Sequence, residues 1–400
     1  MKRNCGWLCF VLCYLGYMGV YISRNNLSII SPQLKEAGFA TEAQLGLLTG
    51  LFSLGYAAGK LICGPLGDRF NPKNVAALGV AISGVSNILI GISVWFFPSF
   101  PFMLIMWIAN SFGQSLVWGP LLRLVSLNFS KERAPFITSM LVTTTATGGI
   151  AGILLASGVS HTDTALGFLV PGAVSLAAAA ALLLFFPGKT RGENAAPSRG
   201  GIISAFRLKE VQKMLLPAFM QGIIKDNVLN WASLYLAAQF LMDLKSLPFF
   251  VLLIPLISFI GRLCYPIFYK ICRNDQALVT KLCFAGCIVF CIPLILGVKN
   301  EILAILLLVL LSTLGNVMNT SFLSIFPMSM EHTGKVSTIA SVMDVVTYSG
   351  LGISSAVFGW LINSFGLTGY KMMFGVFGLA ALLGLLLLQF TKNTYKKPLD

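Results

Sequence analysis

Long apolar runs alternate with short polar connectors along the whole chain. A helix needs ~20 apolar residues to cross a hydrocarbon core of ~30 Å. Twelve runs reach that length: 7–30, 45–66, 75–97, 102–128, 134–158, 165–187, 213–240, 247–269, 277–298, 302–328, 336–363 and 368–391. Each is read as one transmembrane α-helix. The first run follows a basic start but has no small-residue cleavage site after it, so it is read as a retained span and not a signal peptide. Most connectors are short. The segment 188–212 is long, polar and rich in Gly and Pro, and it divides the chain into two six-span halves. The expected organisation is a six-helix bundle over 1–187, a central loop over 188–212, a second bundle over 213–391 and a tail over 392–400.

Composition places this pattern in lipid. Hydrophobic residues make up 56% of the 400 residues and charged residues 10%, against roughly 25% charged in an average soluble domain. The mean hydropathy is +0.83. A net charge of +14 would point to nucleic acid in a soluble protein. In so apolar a chain no nucleic-acid partner is expected, and the bilayer is the main partner. The position of the charges is the informative part. Of 28 Lys and Arg residues, 19 fall in the loops and adjoining span ends of one side and 4 in those of the other. The positive-inside rule then puts both termini and the central loop in the cytoplasm. A monomer in a bacterial inner membrane is the expected setting. The cysteine stripes Cys5, Cys9, Cys13 and Cys283, Cys287, Cys291 lie on single helix faces and read as small apolar side chains, not as disulfides or zinc ligands.

Five basic residues lie deeper inside spans: Arg24, Lys60, Arg123, Lys225 and Arg262. Only Asp226 and Asp344 are acids in comparable places. Each charge costs on the order of 2.5–3.5 kcal/mol at a helix centre. An excess of cations is tolerable where they line a hydrated cavity, and useful where that cavity receives an anion. Arg24 and Lys60 are 36 residues apart, and Lys225 and Arg262 are 37 apart, on the matching spans of the two halves. Two structural repeats whose shared site lies near the midplane would produce this match. Arg123 also fits a snorkelling side chain, and Arg262 a pairing with a carbonyl or an acid.

Polar stripes accompany the cations. Tyr14, Tyr17, Tyr21 and Arg24 fall within an ~80° arc of one helix face. Ser337, Ser341, Asp344 and Tyr348 share a face of span eleven. Thr143, Thr144, Thr145 and Thr147 precede Gly148, Gly149 and Gly152 in span five. Those glycines suit close helix packing, and the threonines can also bond back to their own helix. Asp344 fits either a proton carrier or a fixed counter-ion. Asp226 adjoins Lys225 but points ~100° away, which leaves their pairing open.

The segment Gly64-Pro65-Leu66-Gly67-Asp68-Arg69-Phe70-Asn71-Pro72-Lys73 after span two resembles the loop signature of the major facilitator superfamily. Four further patterns narrow the resemblance to the organophosphate:phosphate antiporter family: Tyr17, Tyr21, Arg24 and Asn26; Gly59-Lys60; Trp118-Gly119-Pro120 with Arg123, then Lys131-Glu132-Arg133; and Lys225 with Asn230, Trp231 and Tyr235. The chain departs from that family in having lysine at 225 where arginine is usual, Thr144 where a histidine is frequent, and Phe268-Tyr269-Lys270 in place of a second Asp-Arg loop.

The resemblance implies an all-α membrane protein with the major facilitator fold, twelve helices in two pseudo-symmetric six-helix bundles. It implies alternating access to a small organic anion, foremost a sugar or glycerol phosphate exchanged for inorganic phosphate. Arg24 and Lys225 are expected to grip the anionic group, with Lys60, Arg262, Tyr17, Tyr21 and Thr144 in support. Asp344 and Asp226 are coupling or counter-ion groups. Asp68, Arg69, Arg123, Lys131 and Arg133 are expected to gate the cytoplasmic side. A proton-coupled carrier of organic acids is one alternative, and a transporter-like sensor of a phosphorylated metabolite is another. No enzyme is expected, since no phosphate loop, metal-ligand spacing or nucleophile–His–acid set occurs, and no cofactor is expected.

Overall fold

The computed structural model describes residues 3–130, 133–160, 162–190, 205–243, 246–263, 265–273, 275–330, 333 and 336–389. Among these residues every regular element is helical and no strand occurs. The helices are α1 (Arg3–Glu36), α2 (Glu42–Arg69), α3 (Pro72–Phe96), α4 (Phe100–Ser115), α5 (Trp118–Asn128), α6 (Ala134–Val142), α7 (Thr144–Ser160) and α8 (Leu166–Phe185). They continue as α9 (Lys209–Phe240), α10 (Leu247–Leu263), α11 (Tyr265–Ile271), α12 (Gln276–Leu296), α13 (Glu301–Thr320), a π-turn (Ser321–Ile325), α14 (Phe326–Ser329), α15 (Val336–Phe365) and α16 (Leu367–Gln389). Among the described residues, each of the twelve apolar runs is mainly helical. Among the described residues, nine helical stretches are both long and apolar enough to cross a membrane. The runs 45–66, 213–240 and 247–269 form α2, α9 and α10–α11, which are more polar or shorter.

Local chemistry sets the helix ends. Asn71 accepts a bond from the Lys73 amide and Pro72 opens α3, so the chain restarts right after the Asp-Arg loop. Gly297, at φ +86, closes α12. Asn300 then caps α13 through the Leu303 amide at 3.0 Å.

Among the described residues, three of the expected continuous spans contain a break. Span four is interrupted at Leu116–Val117, where the amides bond three residues back, to Gly113 at 3.2 Å and Gln114 at 3.2 Å. Pro120 follows and has no amide to offer Leu116. Span five turns at Thr143, whose hydroxyl bonds the Met140 carbonyl at 2.7 Å while Thr144 bonds Leu141 at 2.6 Å. Such back-bonding competes with the helical ladder. Span ten widens into the π-turn just before Pro327.

The chain forms two compact units. One holds Met1–Ala40 and Ala58–Pro197, the other Thr41–Ala57 and Ser198–Asp400. In the first, α1 packs along α7, α8 and α3, and α3 packs along α8 and α4. A Cβ on Gly148 would lie 2.8 Å from the Met18 carbonyl, and one on Gly152 would lie 2.8 Å from that of Ile22. These glycines therefore let α7 sit against the backbone of α1. In the second unit, α9 packs along α15, α16 and α13, and α12 along α16 and α13. Cys9 and Cys13 are buried thiols outside any disulfide, as are Cys283, Cys287 and Cys291.

Candidate functional site

In the first unit, α1 carries the phenol stripe and Arg24. Tyr17 is buried, while Tyr14, Tyr21 and Arg24 are half-buried. The Tyr17 and Tyr21 hydroxyls lie 3.4 Å apart. The Tyr17 ring stacks on Trp118 with centroids 4.9 Å apart. Tyr14 reaches the hydroxyls of Thr143 at 3.1 Å and Thr147 at 2.9 Å. Two phenols of α1 thus address the breaks of spans four and five, Tyr17 at the start of α5 and Tyr14 at the α6–α7 turn. Thr144 is fully buried and its hydroxyl is engaged by Leu141, so the threonines that meet the stripe are its neighbours. Lys60 and Arg123 are half-buried and Arg133 is exposed.

In the second unit, Lys225 of α9 is 8% exposed. Its ammonium lies 3.1 Å from Asp226 Oδ2 and 5.5 Å from the centre of the Tyr348 ring. The ~100° offset between neighbours on a helix does not prevent the ion pair, because the four-carbon arm of lysine bends sideways. Tyr348 packs on Tyr56 with centroids 4.7 Å apart. Asp344, one turn before Tyr348, is buried. Gln221 donates to the Gly315 carbonyl at 3.0 Å and lies 3.4 Å from the Thr347 hydroxyl. The motif residues Trp231 and Tyr235 face inward as core, Tyr235 meeting Phe374 edge-on at 5.1 Å. Lys131 lies outside the described residues, as do the side chains of Asp68, Arg69, Arg262 and Ser337.

A buried amide and hydroxyl cluster sits behind the Arg24 stripe, and the charge-based reading of the sequence does not find it. Ser23, Asn26, Ser83, Asn87, Asn110, Gln114 and Ser175 are all nearly or fully inaccessible. Asn87 donates to the carbonyls of Ser23 and Ser83, each at 3.0 Å. Asn26 donates to Asn87 Oδ1 at 2.9 Å and to the Gly167 carbonyl at 3.1 Å. Asn110 donates to the Ser23 carbonyl at 3.0 Å, and Ser175 lies 3.0 Å from the Ser23 hydroxyl. Together they tie α1 to α3, α4 and α8 and fix the rotation of the helix that bears Arg24. The available signal was polar pairs at helical spacing, Ser83 with Asn87 and Asn110 with Gln114. Replacing Asn87 with leucine strands several buried polar groups and should cost about 1–3 kcal/mol. Thermal unfolding should show the loss, and the exposed Ser126→Ala serves as a neutral control.

The Major Facilitator Superfamily pattern matches residues 13–349. A "Glycerol-3-phosphate transporter" of Bacillus subtilis is 32% identical over 152 residues, which are 38% of this chain and 34% of that protein. A "Probable hexose phosphate transport protein" of Chlamydia trachomatis is 27% identical over 169 residues, 42% of this chain and 36% of that protein. The "Membrane sensor protein UhpC" of Salmonella typhimurium is 23% identical over 278 residues, 63% of this chain and 62% of that protein. The matched part is thus about a third of the length of the first two relatives. Among solved structures, a bacterial homologue of the lysosomal transporter Spinster superposes with a TM-score of 0.80 at 13% identity, over 99% of this chain and 98% of that one. The nucleoside transporter NupG superposes at 0.74 and 14% identity, over 99% of this chain and 100% of that one. At such identity the likeness shows the fold alone. The helical membrane architecture and the pattern running through most of its length make this chain a member of the Major Facilitator Superfamily.

Proposed function

We propose that this integral membrane protein transports a small organic phosphate by alternating access and is not an enzyme. The observation that carries the reading is the pair of matching deep cations, Arg24 of α1 and Lys225 of α9, in a chain whose relatives are named for phosphate esters. Arg24 supplies a planar fork suited to two phosphate oxygens, and Lys225 a point charge. Tyr17 and Tyr21 offer hydroxyls to the phosphate or to the organic part. Lys60 and Arg262 strengthen the field. Asp68, Arg69, Arg123, Lys131 and Arg133 form the cytoplasmic gate. The working organisation is two bundles, 1–187 and 213–391, acting as a monomer, with termini and central loop in the cytoplasm of a bacterial cell. The loop asymmetry of Lys and Arg supports that orientation.

Exchange follows from the charge balance. A cationic site emptied of its anion returns across the membrane at a penalty, and a second anion removes that penalty. Uptake of glycerol 3-phosphate into liposomes should therefore rise about fivefold when the lumen holds inorganic phosphate. Uptake indifferent to internal phosphate rules out the exchange. One relative, the sensor UhpC of Salmonella typhimurium, is matched over 63% of this chain, so a sensing role is kept as the second reading. Binding of the phosphate ester with no net or exchange flux in the reconstituted protein would decide for it.

A further inference from the structure

α9 places a carboxylate directly beside its deepest cation. Lys225 Nζ and Asp226 Oδ2 are 3.1 Å apart, with side-chain exposures of 9% and 28%. Adjacent residues of a helix diverge by about 100°, so this contact forms only because the lysine arm folds away from its own direction. The surroundings favour the folded arm. A Cβ on Gly315 would lie 3.0 Å from Lys225 Cα, so α13 closes one flank of the residue. On another side the ammonium lies 5.5 Å from the centre of the Tyr348 ring, whose negative face attracts it.

We propose that Asp226 is a built-in surrogate anion, which neutralises Lys225 while the site is empty and is displaced by the substrate's phosphate. The inference rests on Lys225 belonging to the anion site of the proposed function. An almost fully buried ammonium is costly without a partner. A carboxylate one residue away supplies that partner without any solute. It also competes with every incoming anion at the effective concentration of a tethered group, in the millimolar range or above for short tethers. Lysine sharpens the competition. Its compact ammonium is a single point of charge, whereas an arginine fork at the same place could hold a carboxylate and a phosphate side by side. Asp226 therefore weakens anion binding and lowers the penalty of the empty carrier. It makes the exchange leaky, so that net flux runs beside exchange.

Two measurements test this. The first is the affinity of the purified protein for glycerol 3-phosphate and, separately, for inorganic phosphate. D226N and D226S should each bind about tenfold more tightly than the wild type, and D226E should stay within about twofold of it. The second is flux from liposomes loaded with glycerol 3-phosphate. Wild-type net efflux into anion-free buffer should run at about a fifth of the exchange rate, and in D226N at about a fiftieth. Strict exchange by the wild type, without net efflux, overturns the proposal even if no variant folds. Unchanged or weaker binding by D226N and D226S, in protein that melts like the wild type, overturns it as well. These results leave the transport reading standing. Failure of both anions to bind the wild type removes the transport reading itself, and this inference with it.

Discussion

Arg24→Ala is expected to weaken binding of glycerol 3-phosphate by about 100-fold or more, and Lys225→Ala by a similar factor. Removing one partner of a buried, hydrogen-bonded charge pair costs on the order of 2–5 kcal/mol, and 1.4 kcal/mol is tenfold. Both cations sit within apolar helices and are half-buried or buried, so water screens their contacts little. Arg24→Lys keeps the charge and loses the bidentate fork. It should fall between the wild type and Arg24→Ala, by about tenfold in affinity. A titration of purified protein with the phosphate ester reads all three. Affinity unchanged by Arg24→Ala would remove Arg24 from the site, and a loss confined to Arg24 would separate it from Lys225.

Gly222→Val is expected to collapse the yield of folded protein. Gly222 of α9 and Gly350 of α15 each face a carbonyl of the opposite helix, Thr347 and Phe219 respectively, well inside contact distance for an added Cβ. The obstacle is backbone, so no rotamer change relieves it. The two helices must part along one of the main seams of the second unit. Overpacking of this kind costs about 1–3 kcal/mol and occasionally more. Separation would also pull Thr347 away from Gln221, now 3.4 Å apart. A drop of roughly 5–10 °C in apparent melting temperature is the expected reading for protein that survives purification. Gly375→Ala is the matched control, since a Cβ there meets nothing within 4 Å. It should melt at or slightly above the wild type, given the ~1 kcal/mol preference of helices for alanine over glycine. Equal behaviour of Gly222→Val and Gly375→Ala would show that the α9–α15 seam is not close-packed.

Much of the architecture is legible in single positions. The apolar runs locate the helices, and the Asp-Arg loop at Gly67-Asp68-Arg69 carries the resemblance that the family pattern over 13–349 establishes. Gly148 and Gly152 read as packing residues and lie against α1. The interruptions at Leu116–Val117 and Thr143 and the π-turn over Ser321–Ile325 are not legible in hydropathy. Average apolarity does not record a missing proline amide or a threonine bonding backward. The cluster around Ser23, Asn87 and Asn110 escapes for a related reason. Its residues are uncharged and scattered over four helices, and no single helix shows that their amides meet.

The sequence by itself determined that this chain belongs in a membrane, where its helices run and which superfamily it joins. Hydropathy, charge and motif spacing are properties of positions along a line. Only the tertiary structure decided the partner of each polar side chain: Asp226 for Lys225, Thr143 and Thr147 for Tyr14, Trp118 for Tyr17. Those choices depend on how closely helices approach and how each is rotated. Approach and rotation arise from packing between distant segments, which no single stretch of chain encodes.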